Sequence, residues 1–287
     1  MKAWAKRLLV AVLWSALGRR NLVRLARLLT NASRLDVPND MDSNGELLVQ
    51  REALKEAPSN RPVVVFDVGA NVGLWTRALA AHSGERANDL LVYAFEPCSS
   101  TAETLKSNIE SWGLQGRVRI SRSALSSSRK TGVMYCEGAG AGRNSLYALH
   151  GQTALSTETI ECETLEEVCR SEALDHLDLV KIDTEGHDLE VLRGARGMLS
   201  RRAITMVQFE YNARWIDARC FLRDAFAILE EFGYRVGKVT PMGIEFYASW
   251  DPELESFREA NFVGVVPALA ERLPRIPWWN APQEADR

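Results

Sequence analysis

Residues 62–83, PVVVFDVGANVGLWTRALAAHS, place a β-branched apolar run, a glycine turn and a helical stretch in immediate succession. The run at 62–68 is short and apolar on both alternating sets, as a parallel strand buried on both faces requires. The turn Asp67-Val68-Gly69-Ala70-Asn71-Val72-Gly73 then brings backbone N–H groups and a helix N-terminus to the strand's carboxyl end, where open α/β sheets bind ligands. Its glycines, Gly69 and Gly73, are spaced G-x-x-x-G rather than G-x-G-x-x-G, and an acid stands two residues before the first. A carboxylate there repels a pyrophosphate and suits a ligand that carries an ammonium group. Asp67, Gly69, Ala70, Asn71 and Gly73 are therefore candidate ligand-binding residues. The plainer alternative is an ordinary βα turn with Gly69 at positive φ.

The next strand narrows the ligand. LLVYAFE at 90–96 ends in Glu96-Pro97, a little over 20 residues past the loop. An acid at that tip can accept both hydroxyls of a ribose, although Glu96 could also cap the helix opening near Ser99. A third strand, 117–121, leads into Ser123 and Ala124, candidate contacts for a nucleobase.

The densest stretch is LDLVKIDTEGHDLEVLRGARGML at 177–199. Leu177–Ile182 reads as a buried strand despite Lys181, whose long side chain must reach a strand end or a carboxylate. Asp183 and Glu185 close that strand over the crevice, and a helix opens with Asp188 and Glu190 in its first turn. Asp183, Glu185 and His187 are candidate general bases for an acceptor that loses a proton. His187 could equally be a first-turn residue without chemistry. A local D-x-E-x-H-D string is weak evidence for a metal, so none is expected. The fifth strand, 204–210, ends in Glu210-Tyr211-Asn212, which reach the same sheet edge as candidate acceptor contacts; Glu210 could alternatively neutralise Lys181 or Arg214. A helix over 217–232 and further strands, the last of them FVGVV at 262–266, complete a doubly wound, mostly parallel seven-stranded sheet with an antiparallel final strand.

The first thirty-odd residues are basic and contain no acid. Leu22, Leu25 and Leu29 can share one helical face and Arg20, Arg24 and Arg27 the opposite one, with Gly18 as a break. Such a segment fits an anionic membrane surface, docking on the catalytic body, or a signal sequence. Residues 31–60 carry the turn formers Pro38, Asn39, Gly45 and Pro58 and read as a linker with a short helix around 46–57. The expected division is thus 1–60 and a catalytic domain at 61–287. In the tail, PRIPWWNAPQ, Trp278 and Trp279 are packing or lipid-contact residues.

The net charge of −3 makes no case for a nucleic-acid partner. Five scattered cysteines without a C-x-x-C pair argue against zinc or a disulfide framework, and for a reducing compartment. A cytoplasmic protein, peripheral at the inner face of the membrane, is the expectation.

Together FDVGANVG (66–73), AFEP (94–97), SALS (123–126), KIDTEGHDLEVLRGA (181–195), QFEYN (208–212) and NFVGVVP (261–267) resemble the FkbM family of methyltransferases. The resemblance spans about residues 61–267. It implies a Rossmann-like class I methyltransferase fold, S-adenosyl-L-methionine as cofactor, and O-methylation of a small-molecule or glycan hydroxyl. It also implies cofactor contacts from Asp67, Gly69, Asn71, Gly73, Glu96 and the Ser123–Ala124 turn, and a structural or catalytic role for Asp183 and Glu185. Asn71 stands where many methyltransferases have a third loop glycine. Two alternatives remain at this stage. A nicotinamide-dependent oxidoreductase would use the same strand, loop and Glu96 but lacks its glycine spacing. A non-catalytic module would keep the fold without needing Asp67 and Glu96.

Overall fold

A computed structural model describes residues 3–37, 40–138, 142, 144–148 and 156–281; Pro38, Asn39 and the end of the tail, Pro282 and Gln283 included, lie outside them. The chain begins with helices α1 (Ala3–Arg34) and α2 (Glu46–Glu56). The alternation β1 (Val63–Val68), α3 (Leu74–His82), β2 (Leu90–Phe95), α4 (Ser99–Ser111), β3 (Val118–Ser121) follows. An inserted sheet then forms from β4 (Ala124–Leu125), β5 (Lys130–Cys136) and β6 (Ser156–Glu163). After α5 (Leu165–Ser171) come β7 (Leu177–Ile182), α6 (Asp188–Gly194), α7 (Arg196–Ser200) and β8 (Ile204–Tyr211). Helices α8 (Arg214–Asp217) and α9 (Leu222–Glu231) lead to β9 (Arg235–Thr240), β10 (Gly243–Phe246), β11 (Ala260–Val265), α10 (Pro267–Ala270) and β12 (Arg275–Ile276).

The main sheet runs β12-β10-β9-β11-β8-β7-β1-β2-β3. Strands β3, β2, β1, β7 and β8 are mutually parallel, and β11 inserts antiparallel between β8 and β9. This is the expected doubly wound class I arrangement, with nine strands where seven were expected. The two additional strands lie at one edge. A tight turn after Thr240 folds β10 back on β9, its geometry fixed by the Thr240 hydroxyl donating to the Gly243 carbonyl at 2.7 Å. The two residues of β12 then cover part of the exposed edge, a common way of blunting it.

Alternating residues of β1 feed two cores, which is why its apolar run is uninterrupted. Val63 and Val65 pack with Leu79 of α3, Leu105 of α4 and Val49 and Ala53 of α2. Val64, Phe66 and Val68 pack with Leu189 of α6 and Phe226 of α9. Helix α2 is thus part of the packed body, although the sequence placed it in the linker before residue 61. Its Gln50 Nε2 donates to the Trp75 carbonyl at 3.1 Å, and its Glu46 accepts from Gln208 Nε2 at 3.1 Å. The helix expected over 217–232 begins only at Leu222 as α9; α8 ends at Asp217, and Arg219 between them has a φ of 56°.

At the foot of the switch point, Asp178 is buried and accepts from Arg61 Nη1 and Nη2 at 2.8 and 2.7 Å and from the Val64 N–H at 2.9 Å. One carboxylate thereby locks the entry to β1 against β7. Removing the guanidinium leaves a buried charge uncompensated, which costs about 3–5 kcal/mol for fully buried pairs. Because Arg61 is partly exposed, Arg61→Ala is expected to lower unfolding stability by about 2–3 kcal/mol in urea. A change below about 0.5 kcal/mol, the range of ordinary surface substitutions, would show that this lock is unimportant.

Candidate active site

The site forms where β1, β2, β7 and β8 end. Gly69 sits at a φ of 80°, and a Cβ there would come within 1.8 Å of the Asp183 carbonyl oxygen. Only a residue without a side chain lets the loop pass so close to the end of β7. The N–H groups of Gly69 and Ala70 both donate to the Phe95 carbonyl at 3.0 Å, fastening the loop to β2. Asn71 adopts a left-handed φ of 48°, and its N–H donates to Glu96 Oε2 at 3.0 Å. The Cys98 N–H donates to Glu96 Oε1 at 3.1 Å. Glu96 is therefore pinned through its two oxygens by backbone and still has lone pairs to offer a ligand. Burial, only partly opposed by those N–H donors, pushes its pKa up to about 7.

A cavity of about 230 Å³ opens at this point. Gly69, Asn71, Glu96, Asp183, Glu185 and His187 line its polar side. Phe95, Leu125, Met134 and Leu146 supply apolar wall, with Ser123 and Ala124 beside them. Among the described residues the buried Asn71 Oδ1 has no hydrogen-bond partner, so it is available to a donor group on a ligand. A diol acceptor at Glu96, an orphaned amide oxygen on the glycine loop and an apolar slot for a flat ring together fit a nucleoside bearing an amino-acid arm.

Four candidates lie elsewhere than expected. Asp67 does not line the cavity; it is fully buried beneath the loop, where the Thr76 hydroxyl donates to its Oδ2 at 2.6 Å and Lys181 Nζ lies 3.5 Å from its Oδ1. Gly73 is the N-cap of α3 at a φ of 87°, and Ala70 is a buried loop residue; neither lines the cavity. Tyr211 points into the core. Its hydroxyl donates to Glu255 Oε1 and accepts from the Phe257 N–H, each at 2.8 Å, so it is no acceptor contact. Strand alternation explains this: Glu210 and Tyr211 leave β8 on opposite faces.

Lys181 resolves its own anomaly. Its ammonium lies 3.2 Å from Asp183 and 3.5 Å from Asp67, and donates to the Gly69 carbonyl at 3.3 Å. Burial favours the neutral amine, but the charges of Asp183, Asp67 and Glu46 outweigh it and raise the pKa above that of an ordinary lysine. Around this cation acids are in excess. Burial, with the Asp183 charge adding and Arg214 opposing, pushes Glu185 up to about 8. Burial, again assisted by Asp183, pushes Asp188 up to about 7. Glu210 is raised well above the carboxylate range by burial and then by Asp183 and Glu185. Asp183, Glu185 and Glu210 each bring a carboxylate oxygen within 4.8 Å of the others, a grouping that hard cations accept. Lys181 and Arg214 already pair with the first two.

His187 is buried, and both its nitrogens are engaged, Nε2 with the Ser126 hydroxyl at 3.0 Å and Nδ1 with the Tyr147 hydroxyl at 3.1 Å. Burial lowers its pKa to about 4, so the ring is neutral near pH 7. A second, more open cleft of about 380 Å³ adjoins the cavity and shares Glu185 and Gly142 with it. Asn212, Arg214, Phe257 and Glu259 also line it. Asn212 Nδ2 donates to Glu210 Oε2, and Arg214 Nε donates to Glu185 Oε2 at 3.2 Å.

The sequence reading missed the inserted sheet, which contributes Met134 to the cavity and holds beside it the segment carrying Asn144 and Leu146. A signal was present. Residues 157–163, TETIECE, alternate polar with Ile160 and Cys162, and both of those are buried.

The chain matches the Methyltransferase FkbM domain over residues 67–236, more than half its length. It is 33% identical over 172 residues to the hexuronic acid methyltransferase AglP of Haloferax volcanii, an alignment covering 60% of this chain and 64% of that protein. Among solved structures, a methyltransferase FkbM from Methylobacillus flagellatus aligns with 72% of this chain and 44% of that one, at 15% identity and a TM-score of 0.45. An S-adenosylmethionine-dependent methyltransferase from Agrobacterium tumefaciens aligns with 77% of this chain and 61% of that one, at 14% identity and a TM-score of 0.42. The domain match runs from the glycine loop through the acid-rich end of β7 to β9, and the chain belongs to the FkbM family of methyltransferases, with S-adenosyl-L-methionine as cofactor.

Proposed function

We propose that the protein methylates a hydroxyl oxygen of a sugar-containing acceptor. The observation that carries this reading is Glu185, a carboxyl shared by the cofactor cavity and the adjoining cleft. The name of the Haloferax relative supports an acidic sugar as acceptor. In the cleft, the guanidinium of Arg214 is the group to which a uronate carboxylate would turn.

S-adenosylmethionine supplies an electrophilic methyl on a sulfonium; the remaining demands fall on the protein. Glu96 would hold the ribose diol and the Ser123–Leu125 wall the adenine. Asn71 and the glycine loop would receive the amino-acid arm. Asp67 acts one layer below, fixing Lys181, which in turn fixes Asp183 and the Gly69 carbonyl. Alignment of acceptor oxygen and methyl is the larger part of the catalysis, and a positioned base adds to it.

Among the candidate bases, the structure favours Glu185. A carboxyl titrating near 8 is a strong enough base to take a hydroxyl proton as the oxygen attacks. His187, with a pKa near 4 and both nitrogens occupied, is a far weaker base and positions Ser126 and Tyr147 instead. Asp183 is engaged by Lys181.

Glu185→Gln is therefore expected to lower kcat by about 10²–10⁴ while donor affinity changes little, measured with radiolabelled donor and a uronate-containing acceptor. A near-normal rate would remove Glu185 as the base. The active form is the carboxylate, so kcat/KM for the donor, which reports the empty site, should climb with pH to about 8 and then level; a flat profile from pH 6 to 9 would contradict this. Glu96→Ala is expected to weaken donor binding by about 1–3 kcal/mol in calorimetry, the scale for taking a partner from buried hydroxyls. Undiminished affinity would contradict the ribose assignment.

A further inference from the structure

Helix α1 buries none of its residues. Trp4, Leu8, Trp14, Leu25, Leu28 and Leu29 are all exposed, Trp4 and Leu28 by about two-thirds of their surface at 66% and 64%. A run of exposed apolar side chains on this scale marks an interaction surface. Gly18, at φ 70° and ψ 157°, breaks the helix into two arms. In the second arm the 100° helical step gathers Leu22, Leu25, Ala26 and Leu29 into one stripe and sets Arg20, Arg24 and Arg27 opposite. No acid occurs before Asp36, in a chain whose net charge is −3. The charge is thus segregated, with cations on the uncovered helix and the acid excess on the body.

The root of the helix is fixed to that body. Asp36 pairs with Lys238 and lies 3.4 Å from Arg258 Nη1, while Arg34 Nη2 donates to the Glu253 carbonyl at 3.0 Å. A second feature sits on the same side. Arg34 and Asp36 act electrostatically on Glu245, which accepts from the Tyr247 hydroxyl. Trp278 packs edge-on against Tyr247 at 5.4 Å and carries Trp279, 55% exposed, beside it. Exposed tryptophans beside a basic, apolar helix are suited to the headgroup region of a bilayer. No helix among the described residues is long and apolar enough to cross a membrane.

We infer that α1, with Trp279 beside its root, docks the enzyme on the surface of a membrane rich in anionic phospholipid. The argument for this occupant is charge complementarity: a second copy of α1 would bring like charges together, whereas acidic headgroups neutralise them. The proposal does not depend on the donor site.

Flotation of the full chain with vesicles tests it. One set is made of equal parts phosphatidylglycerol and phosphatidylcholine, the other of phosphatidylcholine alone. Partitioning is expected to be much stronger on the anionic set and to fall as salt is raised. Replacing Arg20, Arg24 and Arg27 together by Gln should reduce it on the order of 100-fold, at about 1 kcal/mol for each basic side chain. Unfolding temperature and donor affinity, read on the same variant, should remain those of the wild type. Equal binding to both vesicle sets, or undiminished binding of the triple variant, would overturn the proposal. So would absence of vesicle binding combined with a dimer in ultracentrifugation that the substitutions dissolve, since α1 would then be covered by a second copy.

Discussion

A buried ammonium beneath the glycine loop is the interaction on which the site depends. The register of the sheet puts Asp67 of β1 beside Lys181 of β7, and Lys181 beside Gln208 of β8, in one row across the switch point. Taking a lysine out of water is expensive and is tolerated only where charges and hydrogen bonds replace the solvent. Here Asp67, Asp183 and the Gly69 carbonyl do so, and the arrangement couples the loop to the end of the neighbouring strand. Removing Lys181 would leave Asp67 and Asp183 without the cation they share. The loop's shape is therefore maintained by electrostatics as well as by the glycine that lets it pass Asp183.

The same row accounts for the electrostatic character of the cavity. Lys181 and Arg214 do not balance Glu46, Asp67, Asp183, Glu185, Asp188 and Glu210; burial raises the pKa values of Glu46, Glu185, Asp188 and Glu210, and the charge of Asp183 adds to each. Part of the missing positive charge is what a sulfonium brings. A site of this kind holds protons when empty and releases them to a cation, so donor binding and the ionisation of the base are linked. Glu185, at the junction of cavity and cleft, is where that linkage would reach the acceptor. The inserted sheet closes the opposite wall with Met134, a side chain flexible enough to fit against a flat ring.

Much of this was legible in the sequence because the signals were local. Five parallel strands announced themselves as short β-branched runs, and the glycine loop, Glu96 and the Asp183–Glu185 edge were placed at strand ends where the structure has them lining one cavity. What was not legible required knowing which face a side chain leaves. Asp67 stands in the loop motif but turns inward to Lys181, and Tyr211 stands beside Glu210 but turns into the core. His187 sits among acids in sequence, yet in space its ring lies between Ser126 and Tyr147, which are 61 and 40 residues away. Helix α2 was legible as a helix, but not its packing into the body. Two polar residues of this segment, Glu46 and Gln50, are the groups that bond to Gln208 of β8 and to the Trp75 carbonyl of α3.

The central claim is that these strand ends are charged for a cationic donor. It is tested most directly by titrating the protein calorimetrically with S-adenosylmethionine and with its neutral thioether product, S-adenosylhomocysteine, at pH 6.5 and 8.5. Between those values Glu185, Asp188 and Glu96, titrating at about 8, 7 and 7, lose their protons. The preference for the sulfonium over the thioether should therefore grow with pH. A ratio that stays constant, or a failure to bind either compound, would contradict it.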